Sequence, residues 1–141
     1  MKYIVDKSQY DKVVIKLLYS IVGKITFEKT DFDTVAVWDK NMNRVATIWI
    51  NSKYASKGCK SELDFEKSDE ISKYLPVVKK KRFSKLLALF FEKNTGIKID
   101  CVQYFTNYRW VKSDYEGDEG DYERDTINYS LKKKKFIKGY Q

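Results

Sequence analysis

The stretch IDCVQYFTNYRWVKSDYEGDEGDYERDTINYSL, Ile99 to Leu131, decides the fold. In its first part Val102, Tyr104, Tyr108 and Trp110 alternate with Gln103, Asn107 and Arg109. In its last part Ile127, Tyr129 and Leu131 alternate with Asn128 and Ser130. Successive side chains of a strand point to opposite faces, so both parts read as strands, with Val102, Tyr104, Tyr108 and Trp110 sharing one face. Between the strands lie Asp114, Glu116, Asp118, Glu119, Asp121 and Glu123, together with Gly117 and Gly120. Like charges crowded into a short segment are best solvated at an exposed tip. The expectation is a long hairpin from about Asp100 to Leu131 with an acidic end.

Upstream of this hairpin the period changes. In KKKRFSKLLALFFEKNTG, Phe83, Leu86, Leu87 and Phe90 fall on one helical face and Gly96 stands where the helix should stop. Pro76 marks a break ahead of it, because proline disfavours helix in the residue before it and has no N–H of its own. Near the N-terminus, DKSQYDKVVIKLLYSIVGK places Tyr10, Val13, Val14, Leu17, Leu18 and Ile21 on one stripe of a second amphipathic helix. Ser8 with Asp11 resembles a capping box, and Gly23 occupies the expected C-terminal position. MKYIV reads as a short strand before that helix. ITFEKTDF reads as another strand, and TVAVWDKNMNRVATIWI as two strands around a polar connection at Lys40 to Asn43. Apolar residues on both faces of this pair suggest a central hairpin covered on both sides, or with one face covered by a partner. Asn51 to Ser68 is polar and weakly patterned. It reads as a loop with an edge strand at Leu63 to Phe65, the connection expected to move most. Together these elements give an α+β fold, a single small domain of antiparallel β hairpins with two amphipathic helices over residues 1–131, followed by a basic C-terminal extension at 132–141.

Composition sets the chemistry. The 141 residues contain no histidine, which removes Ser-His-Asp and Cys-His nucleophile systems, histidine proton shuttles and nearly all zinc or non-haem iron sites. No motif names a reaction, so no enzyme activity and no cofactor are expected. The acidic tip does not fit a calcium loop: in an EF-hand register begun at Asp114, Glu119 falls where the turn glycine belongs. Asp31 and Asp33 form a D-x-D pair without a phosphate loop or third carboxylate, and read as turn residues. Cys59 and Cys101, 42 residues apart with no CxxC, read as two reduced thiols in an intracellular setting. No signal peptide and no apolar run long enough to span a bilayer is recognisable, so no membrane partner is expected.

The net charge of +8 directs attention to two basic clusters. Lys79, Lys80, Lys81, Arg82 and Lys85 open the second helix, where positive charge opposes the helix dipole unless an anion binds. They are candidate anion or nucleic-acid contacts. Lys132, Lys133, Lys134 and Lys135, with Phe136 and Tyr140, are candidates for docking on an acidic surface of a partner. If nucleic acid is bound, it is bound without sequence preference, since no RNP1, KH loop or helix-turn-helix signature is present.

The opening KYIVDKSQYDKVV, a strand followed by a Ser-Gln-Tyr helix start and paired apolar residues, resembles the beginning of many uncharacterised proteins of tailed bacteriophages. The resemblance covers about the first 17 residues and carries over no functional residue. It implies a non-enzymatic virion or assembly component, acting through contacts with other protein chains in the virion or the host cytoplasm. A basic nucleic-acid-binding accessory protein is the alternative.

Overall fold

Both periodicities resolve into the expected classes. The computed structural model describes residues 7–30, 33–53, 55, 56, 58–68, 70 and 79–137. Helices α1 (Lys7–Val22) and α2 (Lys80–Thr95) lie with strands β1 (Thr26–Lys29), β2 (Thr34–Trp38), β3 (Arg44–Ile50), β4 (Ser61–Phe65), β5 (Cys101–Val111), β6 (Asp121–Ser130) and β7 (Lys135–Phe136). The seven strands form one sheet in sequence order. Every pairing is antiparallel except β4 with β5, whose parallel connection contains α2. The result is a small single-domain α+β fold, a meander broken once by a helical crossover.

One face of the sheet carries Val35, Val37, Ala46, Ile48, Leu63, Phe65, Val102, Tyr104 and Tyr129, all buried. The two helices lie among the same core residues. Tyr19 of α1 meets Phe90 of α2 edge to face at 4.9 Å, while Phe91 meets Phe65 at 5.8 Å and Phe83 meets Tyr104 at 5.1 Å. Aromatic pairs in this arrangement add to their area burial, so α2 is fixed both to α1 and to the sheet. Gly23 and Gly96, at φ +66° and +75°, end the helices with backbone N–H groups bonded to the carbonyls of Tyr19 and Glu92. That left-handed conformation suits glycine because there is no Cβ to clash.

Several expectations change. The MKYIV strand lies outside the described residues. Ser8 sits inside the first turn of α1 rather than ahead of it. The buried stripe of α1 is Tyr10, Val14, Leu18 and Val22, with Val13 41% exposed and Leu17 half-buried. The four-residue period shifts the contact line by one position from the one read in the sequence. SELDF is no edge strand: it pairs with β3 on one side and β5 on the other. Its polar look arises because Glu62 and Asp64 face away from the helices.

The loop that was expected to be mobile folds across this second face. Ser56 donates its N–H to Glu62 Oε2 at 3.0 Å and its hydroxyl to Glu62 Oε1, and lies 3.3 Å from Asn128 Oδ1. Cys59 and Cys101 are joined in a disulfide, with 5.9 Å between their Cα atoms, which overturns the expectation of two free thiols. The parallel pairing puts Cys101 beside Glu62, and the returning loop brings Cys59 to it. Neither step is visible from spacing.

The long hairpin is present, in register from Cys101↔Ser130 to Val111↔Asp121, but with an irregularity between Thr106 and Arg109. Two residues on β5, 107 and 108, stand against one on β6, Arg124, so the alternation inverts. Trp110 therefore shares the face of Phe105, not that of Val102 and Tyr104. The chain beyond Leu131 does not leave as a free arm at once. It turns through 131–134 and pairs Lys135 and Phe136 with Ser130 and Tyr129, and Ile137 N–H bonds Asn128 O at 3.0 Å. The Phe136 ring packs edge to face on Tyr129 at 5.2 Å.

Candidate functional site: a cationic groove

At the base of the β5–β6 hairpin an open groove of about 760 Å³ runs between α2 and the β6–β7 turn. One wall is the outward side of α2, where Arg82, Lys85, Leu89 and Glu92 recur at three- and four-residue intervals and so stand above one another. The opposite wall is Ser130 to Lys134. Lys98, Ile99, Asp100 and Cys101 form the entry to β5 between them, and Gly58 and Lys60 close one end. Seven of the lining residues are Lys or Arg and two are Asp or Glu.

The sequence singled out two separate clusters, and the fold brings members of both into this groove. Arg82 and Lys85 come from the first, and Lys132, Lys133 and Lys134 from the second. Lys79, just ahead of α2, and Lys80 and Lys81 on its first turn are exposed and do not line it, and Lys135 is exposed on β7. Phe136 belongs to the sheet edge, and Tyr140 lies outside the described residues. Lys60 and Lys98 carry no signal of their own in the sequence. They are single lysines in otherwise unremarked segments, and only the sheet topology places them beside the others.

The anion sought at the start of α2 is partly supplied by the chain itself. Arg82 Nε donates to Asp11 Oδ1 at 2.8 Å and its Nη2 to Asp11 Oδ2, a two-point pair between the helices. This carboxylate holds the guanidinium more firmly charged than usual. Lys79 Nζ lies 5.8 Å over the Tyr10 ring, a cation–π contact. With Arg82 shared, six lysines carry the field of the groove.

The segments around the groove are tied together by hydrogen bonds. Tyr104 donates its hydroxyl to Lys80 O at 3.1 Å, tying the first turn of α2 to β5, and burial pushes that phenol up to about 12. Glu92 Oε1 accepts the Ile99 N–H at 2.9 Å, so one of the two acidic residues is already used in closing the α2–β5 loop. Leu131 N–H bonds Asp100 O at 2.8 Å, and Lys133 N–H bonds Ser130 Oγ at 3.1 Å. The disulfide borders the same groove through Cys101. Such a frame presents positive charge above a partly apolar floor of Ala88 and Ile99, with Leu89 and Leu131 on the walls. It suits an anionic ligand with an apolar component.

Two other features carry acidic groups, and neither forms a site among the described residues. On the far face of β4, burial and the neighbouring Glu66 and Glu62 carboxylates raise Asp64 to about 6, and its Oδ1 is buried without a hydrogen-bond partner among the described residues. Among the described residues no group of three or more Cys, Asp or Glu is placed to hold a metal ion. Of the D-x-D pair, Asp31 is outside the described residues, and Asp33 is exposed at φ +56° with its carbonyl accepting the Ile50 N–H. No described helix is long and apolar enough to cross a membrane. Comparison with protein-family models, with curated proteins and with solved structures finds no match for the chain.

Proposed function

We propose that the protein is a non-enzymatic structural or adaptor component, of the virion-assembly type that its N-terminal resemblance implies, and that its groove receives an acidic segment of a neighbouring protein chain. The observation that carries this reading is the convergence of lysines from four separated segments on one framed groove with an apolar floor. Protein interfaces combine buried apolar contact with a polar rim, whereas a nucleic-acid track needs phosphate contacts along a continuous path. Here Glu92 and Asp100 interrupt the lysines, which disfavours a phosphate ladder. The absence of histidine supports a binding role over catalysis. The disulfide fits a particle surface, one of the oxidising settings where such bonds persist.

The same lysines, with Lys79 to Lys81 nearby, favour nucleic acid as the second reading. Fluorescence anisotropy separates the two. A labelled poly-glutamate peptide and a labelled DNA duplex are titrated at about 50 and about 200 mM salt, salt being the variable that exposes phosphate binding. The peptide is expected to bind, and binding should be lost in the combined variant Lys98→Gln, Lys132→Gln, Lys133→Gln. Duplex binding that is tighter than peptide binding and falls steeply with salt would establish the nucleic-acid reading instead. Binding of neither ligand would remove the groove from consideration.

A further inference from the structure

We infer that the occupant of the groove is the acidic hairpin tip of a second copy of this chain. The inference rests on the reading of the groove as a receptor for acidic protein segments and names that segment. The loop between β5 and β6 carries Asp114, Glu116, Asp118 and Glu119, all exposed, against the lysines of the groove. The match is apolar as well as ionic. Tyr115, in the middle of those carboxylates, is 80% exposed, and Leu89 on the groove wall is 55% exposed. An aromatic anchor set among charges, facing an apolar patch ringed by opposite charges, is the pattern of an interface centre.

The tip is also shaped in advance. Tyr115 N–H bonds Ser113 Oγ at 3.1 Å, Asp118 N–H bonds Tyr115 O at 3.2 Å, and Gly120 N–H bonds Asp118 Oδ1 at 3.0 Å. A Cβ added at Gly120 would fall 2.2 Å from Val111 O, so the loop depends on glycine there. A preformed loop loses less conformational freedom on binding than a floppy one.

A tip cannot reach its own groove. Ten residue steps of extended strand separate Cys101, at the groove, from Val111, a span of ~33 Å. The two surfaces point to opposite ends of the molecule, so the contact is between molecules and heterologous, one end of a copy meeting the other end of the next.

Light scattering and sedimentation of the full chain test this at about 50 mM and about 500 mM salt, across the range where surface charge goes from weakly to strongly screened. Self-association is expected at low salt and should weaken at high salt. A tip variant (Asp114→Asn, Glu116→Gln, Asp118→Asn, Glu119→Gln) and the triple groove variant should each associate more weakly by on the order of tenfold to a hundredfold, the sum of several exposed ion pairs. Mixed together, the two variants should form a pair and stop at two, because one supplies an intact groove and the other an intact tip. Gly120→Ala, which deforms the loop without altering charge, should also weaken association. A wild type that stays monomeric yet binds poly-glutamate would overturn the second-copy inference and leave the groove reading standing. A wild type that stays monomeric and does not bind poly-glutamate would overturn both. Association that survives in both variants would place the contact elsewhere.

Discussion

The two ends of the β5–β6 hairpin are built on opposite principles. At the base, β5 is flanked by β4 through Gln103, and β6 is flanked by β7 at Tyr129 and Ser130. Cys101, Val102, Tyr104, Asn128, Tyr129 and Ser130 are buried there, beneath α2 on one side and beside the disulfide-linked loop on the other. Toward the tip no strand flanks the ribbon among the described residues. Trp110 is 52% exposed, and Arg124 lies 4.0 Å over the Phe105 ring as a cross-strand contact. A two-stranded ribbon alone is marginal in water, so its outer half draws its order from the anchored base and from local hydrogen bonds. One element thus serves as core at one end and as a presenting arm at the other. Buried area explains the first end, and charge and shape explain the second.

If this contrast is right, substitutions at the base should act on the whole molecule and substitutions at the tip should not. The largest effect is expected for Leu87→Ala, which opens a cavity between α2 and the sheet and should cost about 2 to 5 kcal/mol in chemical denaturation. An unmoved midpoint would mean that α2 is not packed as described. Removing the disulfide by Cys59→Ser with Cys101→Ser should cost about 2 to 4 kcal/mol. Adding reductant to the wild type should reproduce the loss.

A smaller effect concerns Asp64. Its folded value of about 6 lies above the ordinary 3.8, so the folded state binds the proton more tightly than the unfolded chain does. Stability from this group is present at low pH and declines as pH rises from about 4 to about 6, with a slope no steeper than about 1.4 kcal/mol per pH unit. Asp64→Asn should flatten that part of the stability–pH curve. Asp39 behaves oppositely: backbone N–H groups of Asn43 and Asn41 lower its value, so its contribution is lost as the solution becomes acidic below the ordinary carboxylate range. The smallest effect on global stability should come from Gly120→Ala, about 1 kcal/mol, because the strain of a Cβ at this left-handed position can be relieved by local opening of a loop that lies beyond the anchored sheet. A large loss there would tie the tip to the core and erase the contrast.

Much of this fold is legible in the sequence because its strongest signals are local. The alternation of 101–104 and 127–130 and the apolar stripe of α2 are each written in a few consecutive residues, although the partners that bury them, Tyr129 on Val102 and Phe65 on Phe91, are far along the chain. SELDF misleads because Glu62 is satisfied by Ser56, six residues earlier, so a central strand reads as a polar edge. The inversion at Thr106 to Arg109 is invisible to an alternating pattern, which still looks regular across it. At the site, the runs at 79–85 and 132–135 stand out as charge, but their meeting depends on the parallel β4–β5 crossover that sets α2 beside the β6–β7 turn. Lys60, Lys98 and the Cys59–Cys101 bond follow from the same crossover, and no local spacing encodes it.

Amide hydrogen exchange along β5, β6 and the β6–β7 turn tests the central claim most directly, measured in dilute high-salt and in concentrated low-salt solution. In the dilute state, amides at 101–104 and 127–130 should be strongly protected, and those at 113–120 should exchange fast. On concentration at low salt, protection should rise together at 113–120 and at 130–134 and nowhere else along these strands. A tip that stays unprotected while the turn becomes protected would show that something other than the hairpin tip fills the groove. Protection that rises at neither would contradict the account.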